Sequence, residues 1–294
     1  MVEITPIDGA PHGANAWGVD LNQPLDAEFM KTLADALYEH RVLVIKNQNL
    51  DEATYLNFGY WWGKPIPHVL DHMRMPDFPE LLAVGNTEDK DKKHEIRNGA
   101  ALWHTDQSYE TVPASATMLY SILVPKIGGQ TRLANMVAAY DALDDDTKEG
   151  IDDLEVSHLY GAGKLLDNEI GANPLATDDQ VGRVPSCHHP LVMRHPVTGR
   201  KALYATGQSS YAITGMDDDE AVQLLWKLKM HAIQDRFVYA HTYEVGDIAI
   251  FDTFSTMHAA TPIEAADPSA EDTKRLLWRI SVRGKPRVYE TSAA

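Results

Sequence analysis

Arg275-Leu276-Leu277-Trp278-Arg279-Ile280-Ser281-Val282 reads as a β-strand with two unlike faces. Successive side chains of a strand point to opposite sides. Leu276, Trp278, Ile280 and Val282 therefore form one wholly apolar face, while Arg275, Leu277, Arg279 and Ser281 form the other. Two arginines opposite an apolar face fit a strand that lines a polar cavity, and an edge strand with two solvated arginines is the competing reading. Moving back along the chain, strand signals run over 116–123, 130–135, 190–194, 201–205, 237–243 and 247–252, with a turn at Pro196-Val197-Thr198-Gly199. Helical patterns interrupt them at 137–143 and 218–232. Nearer the start, residues 26–41 read as a helix, because Phe29, Leu33 and Leu37 recur every four residues and Asp26 stands at the cap. Val42-Leu43-Val44-Ile45 is a buried strand, and 51–63 a second helix. Many strands with few helices imply a sandwich or a barrel closed on itself.

The chain has 294 residues, no low-complexity segment, no repeat and no long linker, and is read as one domain over 1–294. With 44% hydrophobic residues it can bury a sizeable core. A formal net charge of -17 argues against nucleic acid or an anionic membrane surface as partner. The acidic runs Asp144-Asp145-Asp146 and Asp217-Asp218-Asp219-Glu220 read as solvated helix starts. No apolar run approaches the roughly 18 residues of a membrane span, and Met1-Val2-Glu3-Ile4 does not open like a signal peptide. The single cysteine, Cys187, precludes an intrachain disulfide and suits a reducing cytoplasm; it reads as a structural thiol near a strand. Residues 87–98, 162–185 and 262–274 read as loops, and long loops in a compact domain often cover or line a site.

Trp103-His104-Thr105-Asp106 supplies a His-x-Asp pair, and a third candidate ligand, His258, closes Phe251-Asp252-Thr253-Phe254-Ser255-Thr256-Met257-His258. At i and i+2 on an extended backbone, His104 and Asp106 point the same way and can bind one metal in cis. Alone such a pair is weak, since chance supplies many. With a second histidine after another strand, two imidazoles and a carboxylate can hold a metal on one face and leave the opposite positions open, as non-heme Fe(II) oxygenases require. Structural zinc favours sulfur-rich or all-histidine sets instead.

On these residues the chain resembles the taurine dioxygenase family of Fe(II)/2-oxoglutarate-dependent oxygenases, which includes the enzymes that cleave phenoxyacetate herbicides. The likeness spans nearly the whole chain and is strongest from Trp103 to Gly128-Gly129-Gln130-Thr131 and from Gly246-Asp247-Ile248 to Arg279. The resemblance implies a mainly β fold with flanking helices around a distorted double-stranded β-helix, or jelly-roll. It implies His104, Asp106 and His258 as ligands of Fe(II), and 2-oxoglutarate as cosubstrate held by Arg275 and the Thr131 hydroxyl. A guanidinium matches a carboxylate in a planar, two-pronged way that a lysine does not. Arg279 matches an arginine that contacts an anionic substrate group, and His68 falls where taurine enzymes carry a substrate-contacting histidine. The expected reaction is hydroxylation of a C–H in a small carboxylate, sulfonate or aryloxyalkanoate, consuming O2 and releasing succinate and CO2. The resemblance also suggests a homodimer or homotetramer.

Departures from the family pattern bear on substrate. Phe251-Asp252-Thr253 replaces a usual Trp-Asp-Asn, and Ala259 stands where an arginine often follows the metal histidine. Asp71 occupies an aromatic position, and Ala100 the place of a side-chain amide. Asp71 could face an amine on a substrate. Val69, Leu70, Met73 and Met75 could line a pocket for an aromatic or alkyl body, or be ordinary packing. The alternatives are an oxygenase of a neutral or amine-bearing natural product, and a jelly-roll metal-binding protein or zinc hydrolase, which has no use for an Arg275–Thr131 carboxylate clamp. Gly161-Ala162-Gly163-Lys164 lacks the spacing of a phosphate loop, Ser209-Ser210 lacks a nucleophile elbow, and His188-His189 point to opposite faces of a strand.

Overall fold

The computed structural model describes residues 2–87, 99–161 and 177–290. Of the expected loops, residues 88–98 and 162–176 lie outside the described residues, as do positions 162–164 of the dismissed phosphate-loop look-alike. Four aspartates start helices as expected. The Asp26 carboxylate accepts from the Phe29 N–H at 2.8 Å to open α1 (Ala27–His40), and Asp51 accepts from the Thr54 N–H at 2.8 Å to open α2 (Glu52–Trp62). Asp144 and Asp217 do the same for the helices Asp145–Ile151 and Asp218–Ala232. Each side chain satisfies an N–H that the first helical turn leaves without a partner.

The last strand observed, Leu276–Arg283, sits inside a nine-stranded sheet between Ala116–Leu123 and Phe78–Gly85. Ile248–Asp252 lies on the far side of Ala116–Leu123 and pairs in turn with Val42–Ile45. The expected alternation holds. Ile280 and Val282 join Met118, Tyr120, Ile248 and Ile250 in a core covered by α1 and α2 through Leu33, Leu37, Tyr55, Phe58 and Trp62. The opposite face carries Leu119, Ala249, Phe251 and Leu277, which pack against Leu133 of a second sheet, ordered Val238–His241, Thr131–Asn135, Thr256–Ala260. Two sheets closing on one another over shared side chains, with helices outside, form the jelly-roll core. Several short strands escaped the periodicity reading, among them Glu3–Pro6, Ala14–Trp17 and Glu155–His158. Cys187 is buried in the strand Cys187–Pro190, where His188 and His189 lie on opposite faces as expected, the first exposed and the second buried. Among the described residues no helix is long and apolar enough to cross a membrane.

Burial holds several histidines uncharged. His12 is lowered from 6.5 to about 4, by desolvation and then by Arg41, and His158 to about 3, by desolvation and then by its histidine neighbours. An unfolded chain takes up these protons near 6.5, whereas the folded one does so only near 3 to 4. Their contribution is therefore complete above 6.5 and is lost as pH falls through that window. Melting temperature is expected to be flat above about pH 7 and to drop steadily below it; an unchanged melting temperature down to pH 4 would contradict this.

Candidate active site

His104 and His258 meet through a two-residue antiparallel bridge. The His104 N–H donates to the His258 carbonyl at 2.8 Å, and the His258 N–H returns the bond at 2.9 Å. Gly207 lies against this segment so closely that a Cβ there would stand 2.2 Å from the Trp103 carbonyl oxygen; only glycine permits the approach. His258 is delivered by the strand Thr256–Ala260, and the turn before it is tied by Asp252. The buried Asp252 carboxylate accepts from the Phe254 N–H at 3.1 Å and from the Ser255 hydroxyl, and its Oδ2 lies 3.2 Å from Nε2 of His195. Phe251 sets its ring 4.6 Å from that of His258, and Ala259 is fully buried, which leaves no room there for an arginine.

Among the described residues, His104, Asp106 and His258 form the one group able to hold a metal ion, with candidate donor atoms all within 4.8 Å of one another. Nδ1 of His104 lies 2.6 Å from the Leu102 carbonyl, to which it donates its proton. That leaves Nε2 bare and aimed at the site, as a metal-binding histidine needs. Desolvation lowers His104, with Asp106 opposing, and brings His258 down to about 3. Both rings are thus neutral, the form that coordinates a metal. Burial pushes the Asp106 carboxyl up, but Arg279, the two histidines and the Thr117 hydroxyl together hold it below its ordinary value. The donor set is therefore two neutral imidazoles and one carboxylate, and it fits Fe(II).

These residues line a cavity of about 260 Å³, a size that suits small organic molecules. Arg275 and Thr131 both face it. Arg275 is buried, its Nε donates to the Gly129 carbonyl at 3.1 Å, and its backbone N–H is held by the Asn86 side chain at 2.7 Å. Burial lowers its pKa, opposed by Tyr243, and among the described residues no carboxylate pairs with it. A buried guanidinium without a counter-charge is costly unless an anion completes it. Thr131 shares a 2.9 Å hydrogen bond with the Tyr243 hydroxyl, so Tyr243 belongs to the same corner although no sequence motif marked it.

Arg279 also faces the cavity, but its Nη2 lies 2.7 Å from Oδ1 of Asp106, a pairing that sequence spacing could not show. His68 lines the cavity, and its Nδ1 accepts from the Leu70 N–H at 3.1 Å. Burial, then Arg279, brings His68 down to about 3, so the neutral ring keeps its proton on Nε2 and can donate. Asp71 is not brought to the site. It is exposed on a short 3-10 turn, its carboxylate is held by Arg74 and Arg183 at 2.7 Å each, and it lies outside the cavity lining. Two nearby arginines thus satisfy its charge at the surface. Leu70 and Met73 line the cavity beside Tyr109 and Tyr160, whose rings stand 4.7 Å apart, whereas Val69 packs behind them and Met75 joins the helix-covered core. Ala100 lines the cavity as well.

Residues 3–281 match the family model described as Taurine catabolism dioxygenase TauD, TfdA family. The (S)-phenoxypropionate/alpha-ketoglutarate-dioxygenase of Sphingobium herbicidovorans is 32% identical over 99% of this chain and 98% of its own length. Pentalenolactone F synthase of Streptomyces arenae is 28% identical over 90% of this chain and 92% of its own. The crystal structure of AAD-2 in complex with Mn(II) and N-oxalylglycine superimposes with a TM-score of 0.81 at 28% identity, covering 97% of both chains.

Proposed function

Since the chain belongs to the TauD, TfdA family and is a 2-oxoglutarate-dependent dioxygenase, we propose that His104, Asp106 and His258 hold its Fe(II), that Arg275 and Thr131 hold 2-oxoglutarate, and that its substrate is a small organic anion anchored by Arg279 and His68. The observation that carries the substrate reading is the cavity itself, which offers a guanidinium and a neutral imidazole donor beside the metal ligands. When bound, Fe(II) and 2-oxoglutarate supply the oxidation, in which O2 gives one oxygen atom to a substrate C–H and one to the keto acid, released as succinate and CO2.

The chain's own residues do the rest. Arg275 matches the distal carboxylate of the keto acid with its planar fork, and the Thr131–Tyr243 hydroxyl pair lies beside it to share that oxygen. Arg279 and the His68 Nε2–H fix the anionic end of the substrate, while Leu70, Met73, Tyr109 and Tyr160 exclude water around an alkyl or aromatic body. A carboxylate, sulfonate or aryloxyalkanoate has both parts. Asp71, engaged by arginines, gives no anchor for an amine. We read the enzyme as a single cytoplasmic domain that acts as a homodimer or homotetramer.

The test is succinate release by the Fe(II)-loaded protein across alkyl sulfonates, sulfate esters, aryloxyalkanoates, amines and neutral analogues. One anionic class is expected to stimulate turnover strongly, and Arg279→Gln to reduce that stimulation by about 10²-fold, the worth of a buried charge-assisted pair. Stimulation confined to neutral or cationic compounds would overturn the anionic-substrate reading while leaving the oxygenase intact.

A further inference from the structure

Four polar side chains close a ring beneath the candidate metal centre. Strand register sets Thr117 directly beside Ser281 on adjacent strands, with Arg279 two residues earlier on the same face. Thr117 Oγ1 donates to Oδ2 of Asp106 at 2.8 Å, Thr117 and Ser281 hydroxyls lie 2.9 Å apart, Arg279 Nη2 donates to Ser281 Oγ at 3.0 Å, and the same nitrogen lies 2.7 Å from Oδ1 of Asp106. Thr117, Ser281 and Asp106 are all buried.

The direction of every bond follows from proton inventory. An ionised carboxylate only accepts, so the single Thr117 proton goes to Asp106. Thr117 must then accept from Ser281, whose own proton is thereby used, and Ser281 can only accept from Arg279. All donors point toward one carboxylate, and a guanidinium already occupies one of its two oxygens. A cation entering between His104, His258 and Asp106 meets a like charge held at hydrogen-bond distance from its own ligand.

We propose that Thr117 and Ser281 are positioning residues of the metal centre, whose hydroxyls aim the Asp106 carboxylate and tie it to Arg279, so that metal loading and the freeing of Arg279 for an anion are one coupled step. This rests on the ligand assignment proposed above. Outer hydrogen bonds of this kind orient a ligand and are typically worth about 10- to 100-fold in metal affinity. Competition for Oδ1 acts in the opposite direction, and coupling between two ligands is reciprocal.

Titration of the metal-free protein with Mn(II), read by loss of the aquo-ion electron paramagnetic resonance signal, separates these effects. Thr117→Val, which keeps a strand-compatible shape, is expected to bind Mn(II) at least about 10-fold more weakly. Thr117→Ser, which restores the hydroxyl, is expected to return to within a few-fold of wild type, and Ser281→Ala to fall between. Arg279→Gln is expected to bind severalfold more tightly, a direction that loss of packing would not produce. Wild-type affinity in Thr117→Val, or weaker binding in Arg279→Gln, would overturn the proposal alone. Wild-type Mn(II) binding in an Asp106→Asn control would instead overturn the ligand assignment, and this proposal with it.

Discussion

Replacing Asp106 with asparagine is expected to abolish the visible absorbance band formed anaerobically with Fe(II) and 2-oxoglutarate, and to cut turnover by roughly 10³-fold or more, since metal-assisted chemistry worth several kcal/mol is lost. Asparagine preserves the shape of the side chain, and its one oxygen can still accept from the Thr117 hydroxyl 2.8 Å away although the contact with Arg279 is given up, so the fold is expected to survive. What disappears is the negative charge among two imidazoles that burial keeps neutral. Neutral nitrogen ligands alone bind Fe(II) poorly compared with a set that includes a carboxylate. Circular dichroism matching wild type together with a vanished band places the effect at the metal. Full activity in the variant would sink the assignment of Asp106 as a ligand.

The second large effect is at Arg275. Arg275→Met is expected to raise the 2-oxoglutarate concentration needed for half-maximal turnover by about 10²-fold or more, because truncating one partner of a buried charge pair costs on the order of 2–5 kcal/mol. Arg275→Lys is expected to fall between, as a lysine keeps the charge but not the fork. Stability is expected to change the other way. Without 2-oxoglutarate the buried guanidinium has, among the described residues, the Gly129 carbonyl and nearby Tyr243 but no carboxylate, so Arg275→Met is expected to melt at a higher temperature than wild type. Adding 2-oxoglutarate is then expected to stabilise wild type and leave the variant unmoved. A variant that keeps wild-type affinity for the keto acid would remove Arg275 from its site.

Much of the fold was legible because its signals are local. The helix limits at Asp26, Asp51 and Asp217 follow from a carboxylate accepting the N–H two or three residues on, and a cap is written within a few residues of sequence. The strand Leu276–Arg283 declared both its faces by alternation alone. Glu3–Pro6, Ala14–Trp17 and Glu155–His158 did not, since four-residue strands carry too few alternations to separate from loops. Asp71 was misplaced for the same kind of reason in reverse. Its neighbours in sequence say nothing of Arg183, whose guanidinium reaches it from a distant segment and fixes it at the surface.

By itself the sequence determined the candidate ligand types and the chemistry they would permit: two histidines, an aspartate two residues from one of them, and two arginines on the polar face of a strand. These are identities and short spacings, which need no third dimension. Tertiary structure alone decided which side chains share a carboxylate. Thr117 looked like an ordinary strand residue until register set it beside Ser281, and Arg279 was a free anion anchor until the fold brought it to Asp106. Likewise Tyr243 joined Thr131 beside Arg275 only when Val238–His241 and Thr131–Asn135 paired. A hydrogen bond demands placement to a few tenths of an ångström, and only the closure of two sheets on one another supplies that precision across long stretches of chain.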